Sequence, residues 1–168
     1  MPRGRGSQEL NRARSRGNMK YVLLILAVLG MVVSALALRE HYREYGDSPC
    51  SINEHWDCGV VNHSKYALVG GAVPALKTVP GLGALPVATA GIIGYLVMAA
   101  LAWFRAYRVL LVFTLAGLAF SLYLATIEKN VLGVWCIYCV ISLGIIGAMC
   151  IVNLGAVIAG AMRAARAA

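Results

Sequence analysis

Residues 135–161 read WCIYCVISLGIIGAMCIVNLGAVIAGA, a run with no charged side chain and one internal amide, Asn153. A helix needs about 20 predominantly apolar residues to cross roughly 30 Å of hydrocarbon. Because lipid offers the backbone no hydrogen-bond partners, such a segment crosses as an α-helix. The run therefore predicts a membrane-spanning helix that carries two cysteines, Cys136 and Cys139, at its start.

Three other stretches reach spanning length without a charge, namely residues 21–38, 86–104 and 109–127. The chain is 60% hydrophobic and 13% charged, with a mean hydropathy of +0.74, more apolar surface than a soluble domain of this length could bury. We predict an all-α integral membrane protein, a four-transmembrane-helix bundle. The middle of each span lacks acids and bases, which argues against an ion pump or a transporter of charged substrates.

The basic residues indicate the orientation of this bundle. Ten of the 15 lysines and arginines lie before the first span, between the second and third, or after the fourth. They are Arg3, Arg5, Arg12, Arg14, Arg16, Lys20, Arg105, Arg108, Arg163 and Arg166. The positive-inside rule predicts both termini in the cytoplasm, and this topology explains the net charge of +8 better than nucleic-acid binding does. Ala35-Leu36-Ala37 loosely mimics a signal-peptide cleavage site, but we expect the first span to be retained, since the bundle would otherwise lose one wall.

The predicted domain organisation has three parts. Residues 1–18 are rich in Arg, Gly and Ser and are predicted to be a disordered basic cytoplasmic tail. Residues 19–161 form the membrane domain, and residues 162–168 form a second cytoplasmic tail. Within the membrane domain, residues 39–85 form the one large loop, on the outer side.

The outer loop is expected to have two different halves. Residues 39–57 are charged and should be solvated, with His41 and His55 exposed. The mixture of apolar and polar side chains in residues 58–69 predicts a short amphipathic helix at the interface that caps the bundle. In that helix His63 either tunes a cysteine or is a plain interfacial polar residue.

Four of the five cysteines form two pairs on the same predicted side of the membrane. Cys50 and Cys58 lie in the outer loop, and Cys136 and Cys139 open the fourth span. The spacing of Cys136 and Cys139 places both sulfurs on one helical face, where the helix N-terminus stabilises a thiolate, the attacking species in disulfide exchange. Two such pairs can pass electrons from a soluble protein to a lipid-dissolved carrier, which is the function that we predict.

Plainer interpretations exist for each cysteine. Cys50 and Cys58 alone would more often be a structural loop clip, and a Cys-x-x-Cys motif is frequently half of a zinc site. Since a second close-spaced pair and a neighbouring histidine are both missing, we predict no metal. Cys150 is a lone thiol in the fourth span and is predicted to be filler facing the core or lipid.

Five short motifs follow one another along the chain. They are Trp56-Asp57-Cys58, Val61-Asn62-His63-Ser64-Lys65-Tyr66-Ala67, Leu85-Pro86-Val87 with Gly91 and Gly94-Tyr95, Phe120-Ser121-Leu122-Tyr123-Leu124, and Cys136-Ile137-Tyr138-Cys139. Their order and spacing resemble the bacterial homologues of vitamin K epoxide reductase, which form periplasmic disulfides. The similarity covers roughly residues 20–155.

This resemblance implies a four-helix bundle around a quinone, either ubiquinone or menaquinone, closed above by the outer loop. It implies that Cys50 and Cys58 shuttle electrons and that Cys136 and Cys139 are the active site, with Cys139 facing the quinone. The family serine that follows the second loop cysteine corresponds to Ser64, which supports the reactive thiols.

The resemblance further implies a partner and a location. The partner is a DsbA-like thioredoxin-fold protein, a separate chain in the periplasm, and the location is the bacterial inner membrane, with both cysteine pairs facing the periplasm. Leu143 and Pro80 stand where the animal enzymes have a tyrosine and a quinone-binding asparagine, which favours disulfide formation over vitamin K epoxide reduction. The alternatives are a structural membrane protein with inert disulfides, or the same relay serving quinone recycling.

Overall fold

The computed structural model describes residues 4–44 and 48–165. The helices are α1 (Gly4–His41), α2 (Cys58–His63), α3 (Val69–Ala72), α4 (Val87–Trp103), α5 (Tyr107–Ile127) and α6 (Ile137–Ala165). Two 3₁₀ turns, Lys65–Ala67 and Pro74–Leu76, lie in the loop, and a π-helical turn, Glu128–Leu132, extends α5. The described ranges contain no β-strand, only isolated bridges, and the predicted all-α class is confirmed.

Within the described residues, three segments are long and apolar enough to cross a membrane, namely Asn18–His41, Tyr107–Leu132 and Ile137–Met162. The fourth apolar helix, α4, is shorter, with 17 residues. The predicted spans are therefore all helical, and three of them meet the length that a bilayer demands.

The N-terminal segment that was predicted to be disordered is helical in the structure, since α1 begins at Gly4. Arg, Gln, Glu, Leu and Ala make up most of residues 4–17, and these residues have good helix propensity. Extending a helix that has already nucleated gains one hydrogen bond for each residue that is fixed. The apolar span therefore continues as helix into the polar segment. Residues 1–3 and 166–168 of the predicted tails lie outside the described residues.

The four long helices pack around a common core. α1 contacts both α4 and α6, and α5 packs mainly on α6. All four contribute buried side chains to the core, which are Leu23, Ala27, Tyr95, Met98, Ala102, Leu110, Ile146 and Met149. The outer faces are apolar and exposed, for example at Ile25, Val112 and Ile151, as expected of a surface that lipid covers.

The first half of the outer loop is less solvated than its charge suggested. Glu40 and Cys50 are both buried, which corrects the expectation for residues 39–57. Glu40 lies on the last turn of α1 and pairs with Arg43, whose Nε is 3.5 Å from Oε1 of the acid. Packing of the loop against the helix ends thus removes part of it from water. Residues 45–47 lie outside the described residues.

The predicted helix over residues 58–69 is shorter in the structure, because α2 ends at His63. Ser64 has an extended backbone, and its Oγ donates to the Val61 carbonyl oxygen at 2.8 Å. A serine side chain that satisfies a helical carbonyl competes with the next backbone N–H. The chain therefore leaves the helix there and continues as the 3₁₀ turn Lys65–Ala67.

α1 and α4 approach closely at Gly30, where the ring of Tyr95 occupies the space that a Cβ atom would need. Tyr95 is buried, and its hydroxyl donates to the Ser142 carbonyl oxygen at 3.1 Å and lies 2.9 Å from Ser142 Oγ. One aromatic side chain therefore joins three helices, and its contact with α1 requires a glycine at position 30.

Gly30→Ala is expected to destabilise the protein, because the new methyl group collides with the Tyr95 ring. Gly147→Ala is the matched control, since nothing lies within 4 Å of a Cβ atom there and both changes gain the helix propensity of alanine. Relative to the control, the loss should be about 1–3 kcal/mol, the usual cost of overpacking. Thermal unfolding in detergent measures the difference, and equal midpoints would contradict the contact.

Candidate thiol redox site

The loop cysteines Cys50 and Cys58 are joined by a disulfide, with their Cα atoms 5.7 Å apart. Cys58 begins α2, and Asp57 caps this helix by accepting the Val60 N–H at 3.1 Å. Burial raises the pKa of Asp57, but hydrogen bonds from the Ser51 hydroxyl and from N–H groups of α2 outweigh this effect and lower it. The cap is therefore ionised at neutral pH and favours a helix that starts at Cys58.

Two main-chain hydrogen bonds place the loop pair beside the second pair. The Asp57 N–H donates to the Trp135 carbonyl oxygen at 3.0 Å, and the Trp135 N–H donates to the His55 carbonyl oxygen at 2.8 Å. Cys58 and Cys136 are the next residues along these two paired segments. Both are fully buried, and both belong to one apolar cluster. The structure thus brings the two predicted pairs together.

Asn62 connects the two halves of the site. It lies one turn after Cys58 on α2, its Nδ2 donates to the Cys58 carbonyl oxygen at 2.8 Å, and the same nitrogen lies 3.7 Å from Cys136 Sγ. An N–H directed at this sulfur favours its thiolate. From the sequence, Asn62 was predicted only as a polar residue of the interfacial helix and as a member of one family motif, with no role at the sulfurs.

Cys136 directly precedes α6 and the candidate span Ile137–Met162, and Cys139 lies in the first turn of α6. A hydrogen bond from the Cys139 side chain lowers the pKa of the Cys136 thiol, and burial raises it. Hydrogen bonds from the N–H groups of Cys139 and Tyr138 lower this pKa further. The net direction is downward. The helix N-terminus therefore supplies the donors that the Cys-x-x-Cys spacing predicted for a thiolate.

Glu128 is a functional candidate that sequence analysis missed, because it directly follows the uncharged stretch 109–127 that was predicted as the third span. Instead the π-helical turn carries α5 onward and leaves Glu128 only 3% exposed. Its Oε2 accepts the Cys136 N–H at 3.0 Å, and its carboxyl also hydrogen-bonds with the Cys139 thiol. The only sequence signal was an acid directly after an apolar span.

A cavity of about 240 Å³ lies between the long helices and below the loop. Its wall is mostly apolar, and both Cys139 and Glu128 line it, whereas Cys58 and Cys136 do not. An engineered apolar cavity of about 150 Å³ holds benzene. A single-ring headgroup therefore fits this space, with a thiol and a carboxyl at its edge.

Ser64, predicted to support the thiols, also lies in the cavity wall. Its hydroxyl donates to the backbone of α2, as described above, and its support of the thiols stays a prediction. Cys150 is buried in α6, and the core was one of the two environments that its sequence predicted. Within residues 4–44 and 48–165, no group of three or more His, Cys, Asp or Glu side chains could hold a metal ion.

The loop histidines differ in their surroundings. His55 is exposed, as predicted, but His41 is half-buried and lines the cavity. The expectation of an exposed His41 was wrong because α1 continues to this residue, where Nδ1 lies 2.6 Å from the Asn62 carbonyl oxygen. His63 has its ring nitrogens 2.9 Å from the carbonyl oxygens of Gly59 and Arg43, and so links α2 to the end of α1.

Apolar helices that carry two adjoining cysteine pairs, one of them open to an apolar cavity, define a membrane thiol–disulfide redox protein. The sequence profile of the Vitamin K epoxide reductase family matches residues 21–154. This match covers well over half of the chain, and the protein belongs to that family, as its motifs predicted. No curated protein gives a significant match to the chain. The family comprises membrane oxidoreductases of thiols and quinones that generally act with thioredoxin-like partners.

Replacing Cys139 is expected to change the acidity of Cys136. Cys139→Ala removes the hydrogen bond that lowers the pKa of Cys136, so this pKa should rise, whereas Cys139→Ser keeps a donor and should retain most of the effect. The measurement is the iodoacetamide alkylation rate of Cys136 against pH, assigned by mass spectrometry. A midpoint that does not move upward in Cys139→Ala would show that Cys139 does not stabilise the thiolate.

Proposed function

We propose that the protein is a four-helix bundle of the bacterial cytoplasmic membrane that reoxidises a DsbA-like periplasmic protein and delivers the electrons to a membrane quinone. The net reaction is protein dithiol plus quinone giving protein disulfide plus quinol. The observation that carries this proposal is the juxtaposition of Cys58 with Cys136, together with the position of Cys139 in the cavity wall. These sulfurs form a continuous route from the loop to an apolar cavity.

The proposed relay begins at the loop disulfide. Cys50 is 6% exposed and Cys58 is 0% exposed, so the attack of a partner thiolate is assigned to Cys50. This attack breaks the Cys50–Cys58 bond, forms a mixed disulfide with the partner, and releases the Cys58 thiolate. The second partner thiol then displaces Cys50 and leaves the partner oxidised.

The second exchange passes the electrons to the pair at the start of α6. The Cys58 thiolate attacks Cys136 in the Cys136–Cys139 disulfide and releases the Cys139 thiolate. The Cys50 thiolate then attacks Cys58, which restores the loop disulfide and leaves Cys136 and Cys139 reduced. The structure holds this combination, a loop disulfide with Cys136 and Cys139 free, and in the scheme it is the state that reduces quinone.

A quinone suits the role of electron acceptor on both structural and energetic grounds. The cavity accommodates a single-ring headgroup, and Cys139 provides a sulfur at its edge. DsbA-like proteins have potentials near −120 mV, against about −220 to −260 mV for a glutathione pool. This gap of about 100 mV corresponds to about 4.6 kcal/mol for two electrons, so glutathione disulfide cannot drive the reoxidation. Whether ubiquinone or menaquinone is used is decided by identifying the quinone that co-purifies.

The relay predicts different phenotypes for the two cysteine pairs. Cys136→Ala and Cys139→Ala should abolish quinone reduction with the protein donor and with a small dithiol, because this pair reacts with the quinone. Cys50→Ala and Cys58→Ala should abolish turnover of the protein donor only and retain part of the small-dithiol activity. The assay follows quinol formation spectroscopically, and Cys150→Ala serves as the fully active control. Full activity of all four variants with the protein donor would favour the alternative of inert disulfides.

The proposed topology places both cysteine pairs outside and both termini in the cytoplasm. Ile52 and Lys129 are exposed residues beside the two pairs, and Phe104 is exposed between α4 and α5. In a cysteine-free background, Ile52→Cys and Lys129→Cys should react with a membrane-impermeant maleimide in spheroplasts. Phe104→Cys should react only after permeabilisation. Labelling of Ile52→Cys and Lys129→Cys on opposite sides of the membrane would refute the relay.

A further inference from the structure

Glu128 is a buried acid at the point where the Cys136–Cys139 pair meets the cavity. Among the residues that the structure describes, no lysine, arginine or histidine forms an ion pair with it. Burial of a carboxylate without a cationic partner costs free energy. Such a residue weakens the fold at this point, which favours a chemical role over a packing role.

The contacts of Glu128 join the reacting sulfurs to the cavity. Oε2 accepts the Cys136 N–H at 3.0 Å, which holds the carboxyl in place. The same carboxyl hydrogen-bonds with the Cys139 thiol, and Glu128 and Cys139 line the same cavity. The carboxyl therefore touches the sulfur assigned to the quinone and also borders the space proposed for the quinone.

Once the Cys139 thiolate that the relay releases has become a thiol, it has to lose its proton again before its sulfur can donate electrons, since the thiolate is the reactive form. Two groups in contact with the Cys139 thiol can accept this proton, the Cys136 sulfur and the Glu128 carboxylate. If Cys136 took the proton it would become a thiol and could not close the disulfide with Cys139. Glu128 can take the proton without this conflict.

We propose that Glu128 accepts the proton of the Cys139 thiol and passes it to a quinone oxygen in the cavity. This inference rests on the proposed function and adds a proton path to it. The Cys139 S–H bond breaks and its proton moves to the Glu128 carboxylate. The Cys136 and Cys139 sulfurs form one S–S bond, and the electron pair that they release reduces the quinone. Cys136 enters this step as the thiolate, so one proton of the quinol comes from Glu128 and the other comes from water.

Other titratable groups near Glu128 have to be separated from it experimentally. Those that share the cavity wall are His41 from α1, Tyr66 from the loop, Tyr95 from α4, and Tyr138 and Cys139 from α6. Lys129 follows Glu128 in the chain and is exposed. An imidazole can take up and release a proton in place of a carboxylate, so His41 is the group that most needs a control.

Glu128→Gln is the variant that tests the proton path. The amide keeps the size of the side chain and an oxygen that can accept the Cys136 N–H, but it cannot take up a proton. With excess small dithiol and a soluble quinone analogue, quinol formation near neutral pH should be about 100-fold slower, the lower end of general acid–base contributions. As the pH is raised, the rate of Glu128→Gln should increase about tenfold per pH unit, because hydroxide replaces the carboxylate as the proton acceptor. The wild-type rate should change little over the same range.

Three control measurements distinguish proton transfer from an indirect effect. Glu54→Gln removes an exposed loop acid and should keep the wild-type rate and pH profile. His41→Gln keeps an N–H donor for the Asn62 carbonyl oxygen and should leave the shape of the pH profile unchanged. The affinity of Glu128→Gln for the quinone analogue, measured by quenching of tryptophan fluorescence, should equal that of the wild type.

The outcomes separate this inference from the proposed function. A wild-type protein that transfers no electrons from dithiol to quinone overturns both. If the wild type is active, three results for Glu128→Gln overturn the inference alone. The first is the wild-type rate and pH profile, and the second is a rate that is lower by the same factor at every pH. The third is a loss of affinity for the quinone analogue that accounts for the slower rate. Should Glu128→Gln fail to fold, Glu128→Asp replaces it. A slower rate with the wild-type profile in Glu128→Asp then supports the inference, and a hydroxide-dependent profile overturns it.

Discussion

The main-chain bridge between residues 55–57 and Trp135 is the contact on which the redox site depends. Its two hydrogen bonds bring a loop next to the start of α6, and the residue that follows on each side is a cysteine. Because backbone atoms make the bridge, it sets the positions of Cys58 and Cys136 without relying on particular side chains. The buried amide of Asn62 then spans the gap between them. In the proposed relay, this bridge is what brings the loop disulfide next to the cysteines of the helix.

The same arrangement separates two environments around four sulfurs. Cys58 and Cys136 lie in an apolar cluster with no exposed surface, where water cannot compete with disulfide exchange. Cys139, one helical turn further on, lines the cavity together with Glu128. The two-residue spacing of the motif thus allows Cys136 to face the loop pair while Cys139 faces the proposed acceptor. The Glu128 carboxyl, which contacts this pair, is the proposed proton acceptor in quinone reduction.

Much of the architecture could be predicted from local sequence. The uncharged runs identified every long helix, since a lipid environment permits almost no other backbone structure, and the motifs identified the family. Predictions failed where tertiary contacts override local composition. Glu40 and His41 looked solvated because they are polar, yet the loop packs over them. Glu128 looked like a loop residue, yet the π-helical turn carries it beneath the loop until Gly133, with φ at 71°, ends the turn.

The sequence by itself determined the membrane class, the positions of the apolar helices and the cysteine spacing, because hydropathy and helical periodicity are properties of short segments. Only the tertiary structure decided which sulfur meets which, that the cavity opens onto Cys139, and that Asn62 and Glu128 contact the reactive pair. Those facts arise from contacts between residues that are far apart in the chain, such as Asn62 and Cys136. Local periodicity carries no information about such pairs; the packing of the loop against the helix ends creates them.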